Sequence, residues 1–348
     1  MPVTIERLCF EAATPLGSFR ERRLRRGAIG DRGKAIEIGL VNNMPDAALL
    51  ATERQFSNLL AAAAGNLDVR LHLYALSGVP RSEETRGALM RNYCDASQLG
   101  AKRLDALIVT GAEPLASELA QEPYWRALTE LIDWADANTV STILSCLAAH
   151  VGVLHLDGIA RQPLPAKCSG IFAFETATRN KLVAGLEGGV STPHSRRNGL
   201  SPRDLIRQGY QVLTYDAAIG VDTFIKQKQS LFVFLQGHPE YEGDSLAREY
   251  RRDMGRFLRG EQSAPPAIPA DYFPAQVERA ATAFAERAAF DRRPELMAAF
   301  PDAGAFGPGN ASWRKSAVQL YRNWLDVVAK RKVALLGDAP IAVARRGG

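Results

Sequence analysis

Apolar and polar positions along the chain follow two alternating rhythms. Residues 35–41, 69–74, 104–109 and 140–146 are short runs of aliphatic and β-branched residues, which predict buried strands. Between the first two, Leu49, Leu50, Phe56, Leu59 and Leu60 share one helical face, and a Trp- and Leu-rich helix is predicted over 124–137. Strands joined through helices are parallel and cross over right-handedly, so the predicted fold is α/β, an open, mostly parallel sheet with helices on both faces.

The second half continues with strands at 210–213, 220–225 and 231–236, then a strongly charged amphipathic helix over Ser245–Leu258. Turn chemistry marks the edges. Asp46, after Asn42, Asn43 and Pro45, is placed to cap a helix, and Thr110-Gly111-Ala112 ends a strand. Residues 77–100 read as a polar loop, and 1–33, rich in Gly and Arg, as an irregular N-terminal arm. The body is expected to be a single α/β domain over 34–330. Within it, prolines 265, 266, 269 and 274 precede a helical patch at 275–289, and a last helix is expected over 311–329. Residues 331–348 read as a loose tail.

Composition narrows the function classes. The chain has 348 residues, 46% hydrophobic and 23% charged, enough to bury a sizeable core. A net charge of +5 is spread among interspersed acids without an aromatic-basic motif, so nucleic acid is not an expected partner and an anionic small molecule is. The arginines among the first thirty residues flank no apolar core, and no run approaches the ~20 apolar residues of a membrane span. Neither a secretory signal nor a membrane association is expected. Four cysteines without CxxC spacing indicate neither zinc nor a disulfide framework, and fit a reducing cytoplasm.

One of those cysteines ends a strand. After Ser145-Cys146 the composition changes abruptly to Leu147-Ala148-Ala149, so Cys146 sits at a strand-to-helix turn, the geometry of a nucleophile elbow. The first helical amides then face whatever the sulfur attacks. His238 and Glu240 follow another core strand, and the carboxyl ends of parallel strands share one edge, so an imidazole and a carboxylate are expected beside the thiol. A neutral thiol is mostly unionised at pH 7, and such a partner activates it, with Glu240 orienting the ring as the third member of a triad.

Further segments then make a pattern: Val109-Thr110-Gly111-Ala112, Tyr124-Trp125, Lys167-Cys168-Ser169-Gly170, Pro193-His194-Ser195-Arg196, Gly237-His238-Pro239-Glu240-Tyr241, Arg252-Asp253, and Ala311-Ser312-Trp313-Arg314 with Asn323-Trp324-Leu325. In this order, over about residues 35–330, the chain resembles the homoserine O-acyltransferases of methionine biosynthesis, in their branch with a class I glutamine-amidotransferase-like, flavodoxin-like fold. The resemblance implies a ping-pong transfer from acyl-coenzyme A, as co-substrate, through Cys146 to the hydroxyl of homoserine, with no permanently bound cofactor. It also implies that Lys167, Ser195 and Arg252 contact substrate, and with the aromatic last helix it points to a homodimer. Position 115 then bears on the acyl donor: glycine is typical of succinyl transfer and glutamate of acetyl transfer, and the chain has Leu115. The absence of glutamate favours succinyl-coenzyme A over acetyl-coenzyme A. Glu113, Pro114, Leu147 and His150 also depart from the family pattern, and 275–310 is an insertion.

Two other classes share parts of this pattern. A glutaminase would have the same triad, but its elbow is normally G-x-C-x-G, and here Leu144 and Ala148 stand at the glycine positions. A non-catalytic relative would often have lost the Cys or the His, and both are present.

Overall fold

A computed structural model describes residues 3–6, 35–301 and 311–337. Its elements in chain order are β1 (Val3–Glu6), β2 (Ile36–Val41), α1 (Asp46–Ala63), β3 (Val69–Ala75), α2 (Glu83–Asn92), β4 (Cys94–Asp95) and β5 (Ala106–Val109). Then come α3 (Trp125–Asn138), β6 (Ser141–Ser145), α4 (Leu147–Asp157), β7 (Gln162–Thr176), β8 (Val190–Gly199), α5 (Pro202–Arg207), β9 (Gln211–Val212) and β10 (Thr214–Asp216). The chain continues through β11 (Gly220–Val221), β12 (Thr223–Gln227), β13 (Leu231–Leu235), α6 (Ser245–Leu258), α7 (Ala275–Phe290) and α8 (Arg314–Gly337).

The main sheet has the order β1-β3-β2-β5-β6-β13-β12-β9, with β4 also on β3. It is parallel from β1 to β13 and antiparallel at β12 and β9. Its two faces are built by alternation. Ala106 and Ile108 of β5 join one apolar cluster with α1, α6, α7 and α8, while Leu107 and Val109 join a second with α3 and α4. Leu231, Val233 and Leu235 of β13 likewise face the first, and Phe232 and Phe234 the second. The predicted α/β sheet is therefore present, with helices on both faces.

A second sheet, β11-β10-β7-β8, is antiparallel and was not apparent from the chain's pattern. The β7–β8 hairpin is partly exposed, shifts register between Pro163 and Cys168, and so lacks a clean two-residue alternation. The expected loop at 77–100 contains α2 instead. The Ser82 hydroxyl caps it by accepting from the Thr85 amide at 3.2 Å, and only Leu89 is buried, so no apolar stripe announces the helix. Asp46 does not cap α1; its carboxylate accepts from the Ser82 amide at 2.8 Å and ties α1 to α2.

At the ends, Val3–Glu6 pairs in parallel with β3, and the rest of the expected arm lies outside the described residues. α8 continues to Gly337, into the stretch read as a tail, and 338–348 lie outside. In the expected insertion, α7 buries Val277, Ala281, Phe284 and Ala288 in the first cluster. Trp313, Tyr321 and Trp324 are buried in that same cluster. The aromatic residues of the last helix are thus consumed within the chain and carry no argument for a dimer. No helix among the described residues is long and apolar enough to cross a membrane.

Candidate active site

β6 lies centrally, between β5 and β13, and ends at Ser145. Cys146 follows with φ 51° and ψ −112°, a conformation that is strained for a residue with a β-carbon. Two main-chain bonds hold it there: its amide donates to Leu235 at 2.7 Å, and its carbonyl accepts from the Ala149 amide at 3.0 Å. The half-buried thiol is thereby lifted at the carboxyl edge of the sheet, at the N-cap of α4. The first helical amide, that of Leu147, has no partner within the helix. Gly111 keeps the space beside it open, because a β-carbon there would lie 2.9 Å from the Leu147 nitrogen and 2.8 Å from its Cβ.

Register delivers the histidine. Leu235 of β13 is paired with Ser145 of β6, so the turn after β13 sets the buried His238 beside Cys146, close enough for the sulfur to act on its ring. Its Nδ1 lies 2.8 Å from Glu240 Oε1. Burial favours the neutral ring, but negative charge on Cys146 and Glu240 outweighs it and holds His238 well above the usual histidine range. An imidazolium beside the sulfur is the electrostatic partner a thiolate needs. Tyr241 stacks on the ring at 4.2 Å and 15°, and the Trp313 indole donates to the Tyr241 carbonyl at 3.1 Å.

From Tyr241 a chain of polar contacts leads around the site. The Tyr241 hydroxyl donates to Glu249 at 2.7 Å, Lys167 Nζ lies 3.9 Å from Glu249 and 2.7 Å from Asp253, and Arg252 donates to Asp253 at 2.9 Å. Burial raises the Asp253 pKa, but Lys167 and Arg252 outweigh this and hold it below the usual carboxylate range. Arg256, one turn further along α6, pairs with Glu113 at 2.6 Å. Glu113 is two residues from Gly111, so the contacts lead back to the glycine that abuts the elbow.

Beneath this lies a second buried group. Asp222 accepts from the hydroxyls of Thr192, Thr214 and Thr223 at 3.0 to 3.3 Å and from the Gly237 amide at 3.3 Å. His194 Nε2 is 3.1 Å from Asp222, off the hydrogen-bonding direction, and Arg196 donates to His194 Nδ1 at 3.1 Å. A β-carbon on Gly237 would come within 2.4 to 2.8 Å of Thr192, His194 and Asp222, so only glycine lets the strand end settle here. The His238 amide then donates to Pro193 at 2.8 Å.

A thiol at an elbow, a histidine held well above its usual range, a carboxylate and a rim of cations make up the candidate site. Comparison with known proteins gives the family. The family model for homoserine O-succinyltransferase matches residues 24–334. The chain belongs to that family. A homoserine O-succinyltransferase of Rhodopseudomonas palustris is 53% identical over 85% of this chain and 89% of that protein. One of Methylorubrum extorquens is 48% identical over 86% and 88%, and one of Bradyrhizobium japonicum 42% identical over 89% and 97%. As a member of the homoserine O-succinyltransferase family the chain is an acyltransferase. Among solved structures, a glutamine amido transferase from Methylobacillus Flagellatus is similar at 14% identity and a TM-score of 0.48, covering 84% of this chain and 95% of that one.

Of the residues singled out from sequence, Cys146, His238 and Glu240 meet directly, and Lys167 and Arg252 share Asp253. Ser195 is half-buried on β8, in register with Ser169 and two residues beyond the Pro193 carbonyl that holds His238. Leu115 is 67% exposed, so its side chain is largely in solvent; its amide, with that of Ala116, donates to Glu122 at 2.8 Å. Asp222, Glu122, Glu249 and Arg256 escaped sequence reasoning. Each is an acid or base in an ordinary polar context, and only its contacts in the folded chain reveal its place.

Proposed function

We propose that the chain transfers a succinyl group from succinyl-coenzyme A to the γ-hydroxyl of homoserine through a thioester on Cys146. The observation that carries this is the contact of Cys146 with the His238–Glu240 pair at the strained turn. The thiolate attacks the thioester carbonyl, and the Leu147 amide faces the oxyanion that develops. Collapse breaks the bond to coenzyme A, whose sulfur takes a proton from His238. The neutral ring then removes the proton of the homoserine hydroxyl as that oxygen attacks the acyl-enzyme. Cys146 leaves as thiolate and the imidazolium is restored, so protons balance over the cycle.

Arg252 suits the carboxylate of the amino acid, with Lys167 and Ser195 completing the acceptor side. Cys94, Cys146 and Cys168 are in no disulfide, which fits a reducing cytoplasm. Incubation with succinyl-coenzyme A alone, read by intact mass, is expected to add one succinyl group to the wild-type chain and none to Cys146→Ala. Adding homoserine should remove it. Normal turnover by Cys146→Ala would end the proposal, as would ammonia release from glutamine without any acyl transfer.

A further inference from the structure

Two guanidiniums, Arg252 and Arg256, stand one turn apart on α6. The reaction proposed above brings two carboxylates into one site, that of the amino acid and that of the succinyl tail. We propose that Arg256 binds the terminal carboxylate of the donor's acyl tail, and that Glu113 occupies Arg256 until the donor arrives. This rests on the reading of the site as one for succinyl transfer.

The two arginines are committed differently. Arg252 is held to Asp253 at 2.9 Å within its own helix, and Asp253 also holds Lys167 at 2.7 Å. Arg256 reaches Asp253 only at 4.0 Å, and its short partner, Glu113 at 2.6 Å, comes from another element. The Arg256 and Glu113 side chains are 28% and 40% exposed. A partly solvated ion pair is weak, so an incoming carboxylate can displace it. Glu113 therefore stands where a substrate carboxylate would stand.

Its place in the chain ties that carboxylate to the acyl side. Gly111 abuts the Leu147 amide, so the loop that carries Glu113 starts beside the residue after Cys146. Glu113 is two residues further on, and on this proposal the succinyl carboxylate, two methylenes beyond the thioester carbonyl, takes the place of the Glu113 carboxylate on Arg256. Beyond Glu113 the loop is anchored. Glu122 accepts the Leu115 and Ala116 amides at 2.8 Å each, and Arg161 donates to the Ser117 carbonyl at 3.0 Å. The exchange needs only rotation of the Glu113 side chain. A donor without a terminal carboxylate cannot make it, so Arg256 separates donor classes.

The test compares succinyl- and butyryl-coenzyme A, acyl chains of equal length that differ in the terminal carboxylate. Single-turnover acylation of Cys146 is followed by mass, with steady-state KM for homoserine, in the wild type, Arg256→Gln, Arg256→Lys and Glu113→Gln. Arg256→Gln is expected to lower the succinyl-to-butyryl ratio of acylation about tenfold or more, with the homoserine KM within about twofold of wild type. Arg256→Lys should restore part of the ratio. Glu113→Gln should raise the apparent affinity for succinyl-coenzyme A and leave butyryl transfer unchanged. An equal fall with both donors, or a change confined to the homoserine KM, overturns the role of Arg256. An unchanged or weaker succinyl affinity in Glu113→Gln overturns the occupancy by Glu113. If neither donor acylates the wild type, the succinyl-transfer reading itself fails; if both do and Arg256→Gln leaves their ratio unmoved, only the present inference fails.

Discussion

Adding a single methyl group at Gly111 tests the site where the turn after β5 meets the start of α4. In Gly111→Ala the new carbon would lie 2.8 Å from Leu147 Cβ, 2.9 Å from its nitrogen and 3.3 Å from its Cα. Ordinary carbon contacts are about 3.5 to 4.0 Å, so the overlap at the nitrogen is roughly 0.6 Å or more. Two of the three atoms are main chain, which cannot rotate aside. The turn after β5 and the start of α4 must move apart, at a stability cost of about 1–3 kcal/mol. The methyl also covers the amide assigned to the oxyanion. Loss of one such donor costs about 2.7–4 kcal/mol, or about 10²–10³ in kcat. Coenzyme A release under saturating homoserine would measure it, with circular dichroism to confirm folding. Gly188→Ala, where the added carbon meets nothing within 4 Å, is the control. The expected result is a kcat at least about 100-fold lower for Gly111→Ala, with a homoserine KM within about twofold of wild type. A folded Gly111→Ala enzyme with kcat within about threefold of wild type would refute the placement of the oxyanion at Leu147.

Three more outcomes follow from the same geometry. Burial, with help from Arg161 and Arg196, pushes His150 down to about 3, so the folded chain keeps it neutral while the unfolded chain protonates it below 6.5. The stability this represents is full above pH 6.5 and is lost as pH falls toward 3, about 2 kcal/mol between pH 7 and 5. His150→Gln should flatten that acid limb in urea denaturation, and equal losses in both proteins would count against it. Asp222→Ala leaves Thr192, Thr214, Thr223 and the Gly237 amide without their acceptor; it should cost about 3 kcal/mol or more in the same assay, and a loss under about 1 kcal/mol would show the group to be dispensable. Asp253→Ala removes the acid that holds both Lys167 and Arg252, so the homoserine KM should rise about tenfold with the donor KM unchanged. An equal rise in both KM values would mean that Asp253 supports the site as a whole.

What could be read along the chain and what could not divide by distance. The core strands β2, β3, β5, β6 and β13 and the helices α1, α3, α4 and α6 are legible because each carries its own periodicity, a property of neighbours two to four residues apart. Cys146 is legible for the same reason, since strand and helix meet at that residue. His238 follows from one topological rule, that parallel strands end at a common edge. The helix α2 hid because its single buried leucine makes no stripe, and the β7–β8 hairpin because a register shift breaks its alternation.

Tertiary structure alone decided the charges. Lys167 and Asp253 meet across 86 positions, and Arg256 and Glu113 come from a helix and a loop on opposite sides of the elbow sequence. An exposed lysine, arginine or glutamate has the same local signature whether it faces solvent or substrate, because its partner is chosen by the packing of whole elements. The sequence by itself thus determined the main sheet and the elbow that carries Cys146, whose causes are local. Which cations line the site, and which of them an internal carboxylate already holds, was decided only when the strands and α6 were brought together.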